Sequence, residues 1–216
     1  MSDDAKETLQ RYLTAQRDAL RWKLEGLSER ELRMPMTDTG TNLLGLVKHV
    51  ATVTTDYFGA CVGRPFPEQL AWNDERAEDN ADMWADADES PESVLGLWDR
   101  AWAHADASIA ALPLDAPAHV PWWGDRGDTT LQRLLVHMIA EVARHAGHAD
   151  IVREALDGTA GLRDGVSNLP QQDARWWSAY VARLRAVAEG ASAQRPAAAA
   201  PSSAGPQVMA PGSAPS

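Results

Sequence analysis

The stretch from Thr129 to Gly158 reads as one long helix, and one of its faces restricts the fold more than any other feature of the chain. At about 100° per residue, His137, Glu141, His145 and His148 fall within an arc of roughly 80°. Leu134, Met138 and Val152 lie on or beside the same arc, so the ionisable side chains share the face that should turn into a core. Burying a carboxylate and several imidazoles without partners costs several kcal/mol. They must therefore be paired, hydrogen-bonded or bound to a cation. Thr129 followed by Gln132 makes a capping box for this helix, and Gly158 is its C-terminal stop.

Three more segments carry helical periodicity and none shows convincing strand alternation. The first runs from about Asp4 to Leu27 with Leu9, Tyr12, Leu13, Leu20 and Leu24 as its apolar stripe. The second begins near Thr41, carries Leu43, Leu46, Val47, Val50, Val53 and Tyr57, and stops around Gly59 and Gly63. Ser90 caps the third, with Pro91 at its first position and Glu92 at the positive end of the helix dipole, and it runs to about Leu112. The polar, Trp-containing connection between the second and third is too long for a hairpin turn and should cross the bundle. The expected architecture is all-α: a four-helix bundle over residues 1–160 with a long crossover between its second and third helices. An accessory helix follows over 161–190, and an Ala/Pro/Ser tail over 191–216 is too poor in large apolar side chains to order itself.

Charge and cysteine content exclude several functions. The net charge is −11, with no clustered basic stripe, which argues against nucleic acid as a partner. No run approaches the roughly 18 apolar residues of a membrane span, and the acidic N-terminus is no signal peptide. A cytoplasmic protein is expected. The one cysteine, Cys61, rules out an intrachain disulfide and a Cys-rich zinc site, and reads as buried.

Glu141 and His145 stand four residues apart, so both can reach one ion, although a plain ion pair on a helix produces the same spacing. His49, in the apolar run "LLGLVKHVATV", is the candidate third ligand; a hydrogen-bonded core histidine is the other reading. His137 and His148 are neighbours or alternates. Arg144 and Arg153 can hold an anionic substrate group or pair with the acids of their own helix. Trp72, with Trp84, Trp122 and Trp123, sits in loops that can line a pocket or pack outside the core.

Two stretches, "TNLLGLVKHVATVTTDYFG" and "LLVHMIAEVARHAGHADIVREALDG", together with the connection "AWNDERAEDNADMWADADESPESVLGLWDRA", resemble the DinB-like superfamily of metal-binding four-helix bundles. Within it they resemble the actinobacterial branch of mycothiol-dependent maleylpyruvate isomerase and mycothiol S-transferases, over roughly residues 5–160. The resemblance implies a divalent metal held by His49, Glu141 and His145, with His148 beside it. Zinc is the first choice, and Fe(II) or Ni(II) suits the same two-histidine, one-carboxylate set. It implies mycothiol as the co-substrate and an electrophilic small molecule as the other partner, with a homodimer as one assembly. Activated thiolate would then be transferred to the electrophile. The alternatives are a mycothiol-dependent cis–trans isomerase and a non-catalytic metal-binding stress protein. A third reading, a purely structural bundle, follows from the histidines' being buried polar groups.

Overall fold

The structure, a computed structural model, describes residues 3–73 and 76–192. It is an all-α, DinB-like bundle in which the four long helices are α1 (Asp3–Trp22), α3 (Leu43–Tyr57), α4 (Pro91–Ala111) and α5 (Leu131–Asp157). A one-turn helix α2 (Glu29–Arg33) follows α1, and a two-stranded hairpin, β1 (Pro117–His119) with β2 (Asp128–Thr130), precedes α5. α1 packs along α5, and α3 packs on both α4 and α5. Their facing sides supply the core, including Leu20, Leu46, Val50, Ile109, Leu134 and Met138, all essentially inaccessible to solvent. No helix among the described residues is long and apolar enough to cross a membrane.

Local chemistry sets most of the helix ends. Ser90 accepts a hydrogen bond from the Ser93 amide and Pro91 opens α4; Gly158 closes α5 in the left-handed conformation at φ 77°. Two ends differ from the sequence expectation. α1 stops at Trp22 because the amides of Lys23, Leu24 and Glu25 bond carbonyls three residues back, tightening the last turn before Gly26 at φ 76°. Tyr12, expected in the α1 stripe, is 57% exposed. The cap of α5 is Thr130, whose side chain accepts from the Arg133 amide, while Thr129 pairs with Ala118 in the hairpin. Strands of three residues are too short to show alternation.

The crossover between α3 and α4 is pinned to α3 by polar contacts. Lys48, buried on α3, donates to the carbonyls of Ala81 at 3.0 Å and Trp84 at 2.9 Å, and to Glu89 at 2.8 Å. Asn42 donates to the Met83 carbonyl at 3.2 Å. That carbonyl also lies where a Cβ on residue 45 would stand, so only Gly45 lets α3 and the crossover approach this closely. From α2, Arg33 donates to the carbonyls of Ala85, Asp86 and Glu89.

The chain divides into two compact units, the first ending at Leu169 and the second beginning at Pro170. The second contains α6 (Ala174–Ser192), on which Trp176 stacks against Tyr180 at 5.1 Å between ring centroids. The tail read from the sequence lies, from residue 193 onward, outside the described residues.

Candidate metal centre

α3 carries His49 at mid-length, flanked by buried Lys48 and Val50, while α5 carries Glu141 and His145 one turn apart on one face. Because α3 packs against α5, the three side chains meet. His145 Nε2 lies 3.0 Å from Glu141 Oε1, and His49 Nε2 lies 3.4 Å from the same oxygen. The two imidazole centroids are 4.8 Å apart with an interplanar angle of 66°. One donor atom from each residue falls within 4.8 Å of the others. Side-chain exposure is 18% at His49, 25% at Glu141 and 9% at His145, so the cluster is walled by protein yet reachable from solvent.

The crossover adds a fourth side chain that sequence reasoning missed. Asp82 Oδ2 lies 2.6 Å from His49 Nδ1. The Lys48, Asn42 and Gly45 contacts seat residues 81–84 against α3 and so deliver Asp82 to the ring. Its only signal was an acidic run in the crossover, with nothing in its spacing to single out one acid.

The Asp82 carboxylate accepts a hydrogen bond from His49 Nδ1–H, so whenever the ring is neutral its Nε2 carries a bare lone pair that faces a carboxylate oxygen. Two lone pairs at that separation repel unless a proton or another cation stands between them. Burial works against charging His49, but the bond to Asp82 and the charges of Asp82 and Glu141 outweigh it and lift its pKa above the ordinary histidine value. Burial, with the charge of His49, pulls His145 below that value. Burial opposes ionisation of Glu141, yet His145 and His49 hold its carboxyl below the usual range, and His49 does the same for Asp82. His145 Nδ1 is buried without a hydrogen-bond partner among the described residues, so neither tautomer satisfies both of its nitrogens.

These features suit a divalent cation. Around a tetrahedral ion with bonds of about 2.1 Å, neighbouring ligand atoms stand about 3.4 Å apart. The two nitrogen–oxygen edges of this cluster, 3.4 and 3.0 Å, are already close to that spacing. An acceptor-rich set converging this closely and partly exposed to solvent can hold an ion and leave a position for a further ligand.

His137 lies one turn before Glu141, its ring 4.8 Å from that of Tyr57 and 4.9 Å from that of Trp123; burial lowers its pKa. His148 is exposed, its ring centroid 5.4 Å from that of His145. Arg144 is exposed. Arg153 is buried and committed elsewhere, donating to the Lys23 carbonyl at 2.7 Å and to Asp157 at 3.0 Å, which ties α5 to the end of α1. Trp72 packs on α3: its indole N–H donates to Thr52 Oγ1 at 2.9 Å and the Lys48 ammonium lies 3.9 Å from its ring centroid. Cys61 is buried beyond the end of α3, and burial pushes its thiol up to about 11.

Compared with known protein families, residues 8–158 match the family described as mycothiol-S-transferase, a span that includes α3, the crossover and all of α5. No individually curated protein matches the chain.

Proposed function

The chain belongs to the mycothiol S-transferase family, and we propose that it joins the sulfur of mycothiol to an electrophilic small molecule at a divalent-metal centre formed by His49, Glu141 and His145. The observation that carries this reading is the convergence of those three donors, from two helices, to within 4.8 Å. The nitrogen and oxygen donors favour zinc, with Fe(II) and Ni(II) as the other ions that suit them.

A bound divalent ion supplies Lewis acidity that favours the thiolate of an incoming thiol over the thiol at neutral pH. The protein's own groups prepare for this. Asp82 keeps the proton on His49 Nδ1, so Nε2 presents its lone pair inward. Glu141 offers Oε1 within reach of both imidazoles and contributes the one negative charge of the ligand set. With two neutral imidazoles and one carboxylate, a bound divalent ion would leave one net positive charge to attract a thiolate, and Asp82, behind His49, offsets part of it. The lone cysteine is no substitute for an external thiol, since its raised pKa keeps it protonated. In the transfer a carbon–sulfur bond forms, the leaving group departs with its electron pair, and the thiol proton passes to solvent.

Protein purified without a histidine tag should contain one divalent ion per chain and form a metal-dependent conjugate from mycothiol and a haloalkyl bimane. His49→Ala should lose both. Absence of stoichiometric metal, or a His49→Ala variant as active as the wild type, would overturn the proposal.

A further inference from the structure

One turn of α5 from the metal centre lies a recess of about 440 Å³, lined by Trp122, Trp123, Arg126, Arg133, Val136 and His137. Resting on the thiol-transfer reading, we propose that this recess is the acceptor subsite and that it selects flat electrophiles carrying a carboxylate or a comparable anionic group.

The walls are aromatic and held in place. The β1–β2 hairpin fixes both ends of the loop bearing Trp122, Trp123 and Arg126, with Pro117 paired to Thr130 and His119 to Asp128. The Trp122 indole donates to the Tyr57 hydroxyl at 3.2 Å, and Tyr57 lies on the same helix as His49. His137 joins the two sides, contacting both Tyr57 and Trp123. Rings braced against one another in this way leave planar walls for a planar guest.

The polar lining has one sign. Arg133 stands 5.2 Å over the Trp123 ring, and among the described residues neither Arg126 nor Arg133 forms an ion pair with a carboxylate. Asp128, on the neighbouring strand, is taken by His119 at 2.7 Å. Two guanidinium groups without a carboxylate partner thus line one recess in a chain of net charge −11. Guanidinium forks bind carboxylates in two-point fashion and also stack on rings. The volume suits a molecule of one or two rings.

Position links the recess to the chemistry. His137 and Glu141 share one face of α5, about 6 Å apart along its axis. On this proposal the reacting edge of a ring seated on Trp123 and His137, with its anionic group on the arginines, is turned toward Glu141, one helical turn from His137. The thiolate then attacks a ring carbon there: the carbon–sulfur bond forms, the carbon–halogen bond breaks, and halide leaves with the electron pair.

The test pairs two acceptors that differ in one group, chlorodinitrobenzene and chlorodinitrobenzoate, with metal-loaded full-length protein and mycothiol. An unreactive probe, naphthoate, is titrated separately by calorimetry. Wild type should prefer the benzoate in kcat/KM, and R126Q/R133Q should lower that preference at least about tenfold and weaken naphthoate binding by a similar factor. Naphthoate should compete with the acceptor, not with mycothiol. The proposal is overturned if wild type shows no preference, if the double variant binds naphthoate as wild type does, or if naphthoate competes with mycothiol. Arginine-dependent naphthoate binding with no conjugate from either acceptor would uphold an anion-binding recess and sink the transferase reading instead.

Discussion

Replacing Asp82 should weaken metal binding although Asp82 is not a ligand. Its carboxylate lies 2.6 Å from His49 Nδ1, with both side chains largely shielded at 26% and 18% exposure. A hydrogen bond to a charged group in such a setting contributes about 1.5–3 kcal/mol, roughly twice a neutral one. Asp82→Asn keeps an acceptor oxygen and loses the charge, so about half of that contribution goes, a weakening of about threefold to twelvefold at 1.4 kcal/mol per decade. Asp82→Ala also frees the ring to turn and to change tautomer, and should cost about 10- to 100-fold. Competition against a chromogenic chelator at fixed pH measures both constants, and circular dichroism checks that the bundle is intact. If both variants bind metal within about twofold of wild type while His49→Ala abolishes binding, Asp82 does not position the ligand and the reasoning fails.

The crossover clamp makes its own prediction. Lys48→Met removes the partner of two carbonyls and of Glu89, and should destabilise the fold by about 3 kcal/mol or more in chemical denaturation. Gly45→Ala sets a Cβ against the Met83 carbonyl and should lower metal affinity together with stability, because the segment bearing Asp82 must move; unchanged affinity would contradict this. In chelator-treated protein, ring-proton NMR should find His49 titrating above the ordinary histidine pKa and His145 below it. The linkage signs are opposite. Raised His49 contributes stability that is full below its unfolded pKa and fades as pH rises through its folded value; depressed His145 loses stability as pH falls through the window below its unfolded pKa. Cys61, buried with its thiol pushed up to about 11, should resist aromatic disulfide reagents until the protein is unfolded; prompt native-state labelling would refute that.

The parts of this fold that show in the sequence are those governed by local chemistry. Ser90 followed by Pro91, and Gly158 after an unbroken helical pattern, mark helix ends by mechanisms that need no tertiary partner. Where tertiary contacts decide, sequence reasoning errs by a residue or a turn. Thr129 and Thr130 are equally good caps on chemical grounds, and the hairpin, by ending β2 at Thr130 and starting α5 at Leu131, gives the role to Thr130. Tyr12 fits the α1 stripe by spacing, yet the helix it belongs to turns that residue outward.

The site divides along the same line. Glu141 and His145 declare themselves by spacing, and His49 by being an imidazole in an apolar run, because burying such groups needs a reason. Asp82 does not, since what brings it to His49 is a set of backbone carbonyls, at residues 81, 83 and 84, gripped by Lys48 and Asn42 and admitted by Gly45. Any residue has a carbonyl, so the grip leaves no trace in the identities of the gripped residues. It does leave a trace on the gripping helix: a lysine beside a histidine, both in an apolar stretch. The ammonium of Lys48 cannot be left unpaired in that stretch, and the crossover supplies its acceptors. One helix therefore both presents His49 and holds in place the loop that orients it, which couples the stability of the crossover to the geometry of the candidate centre.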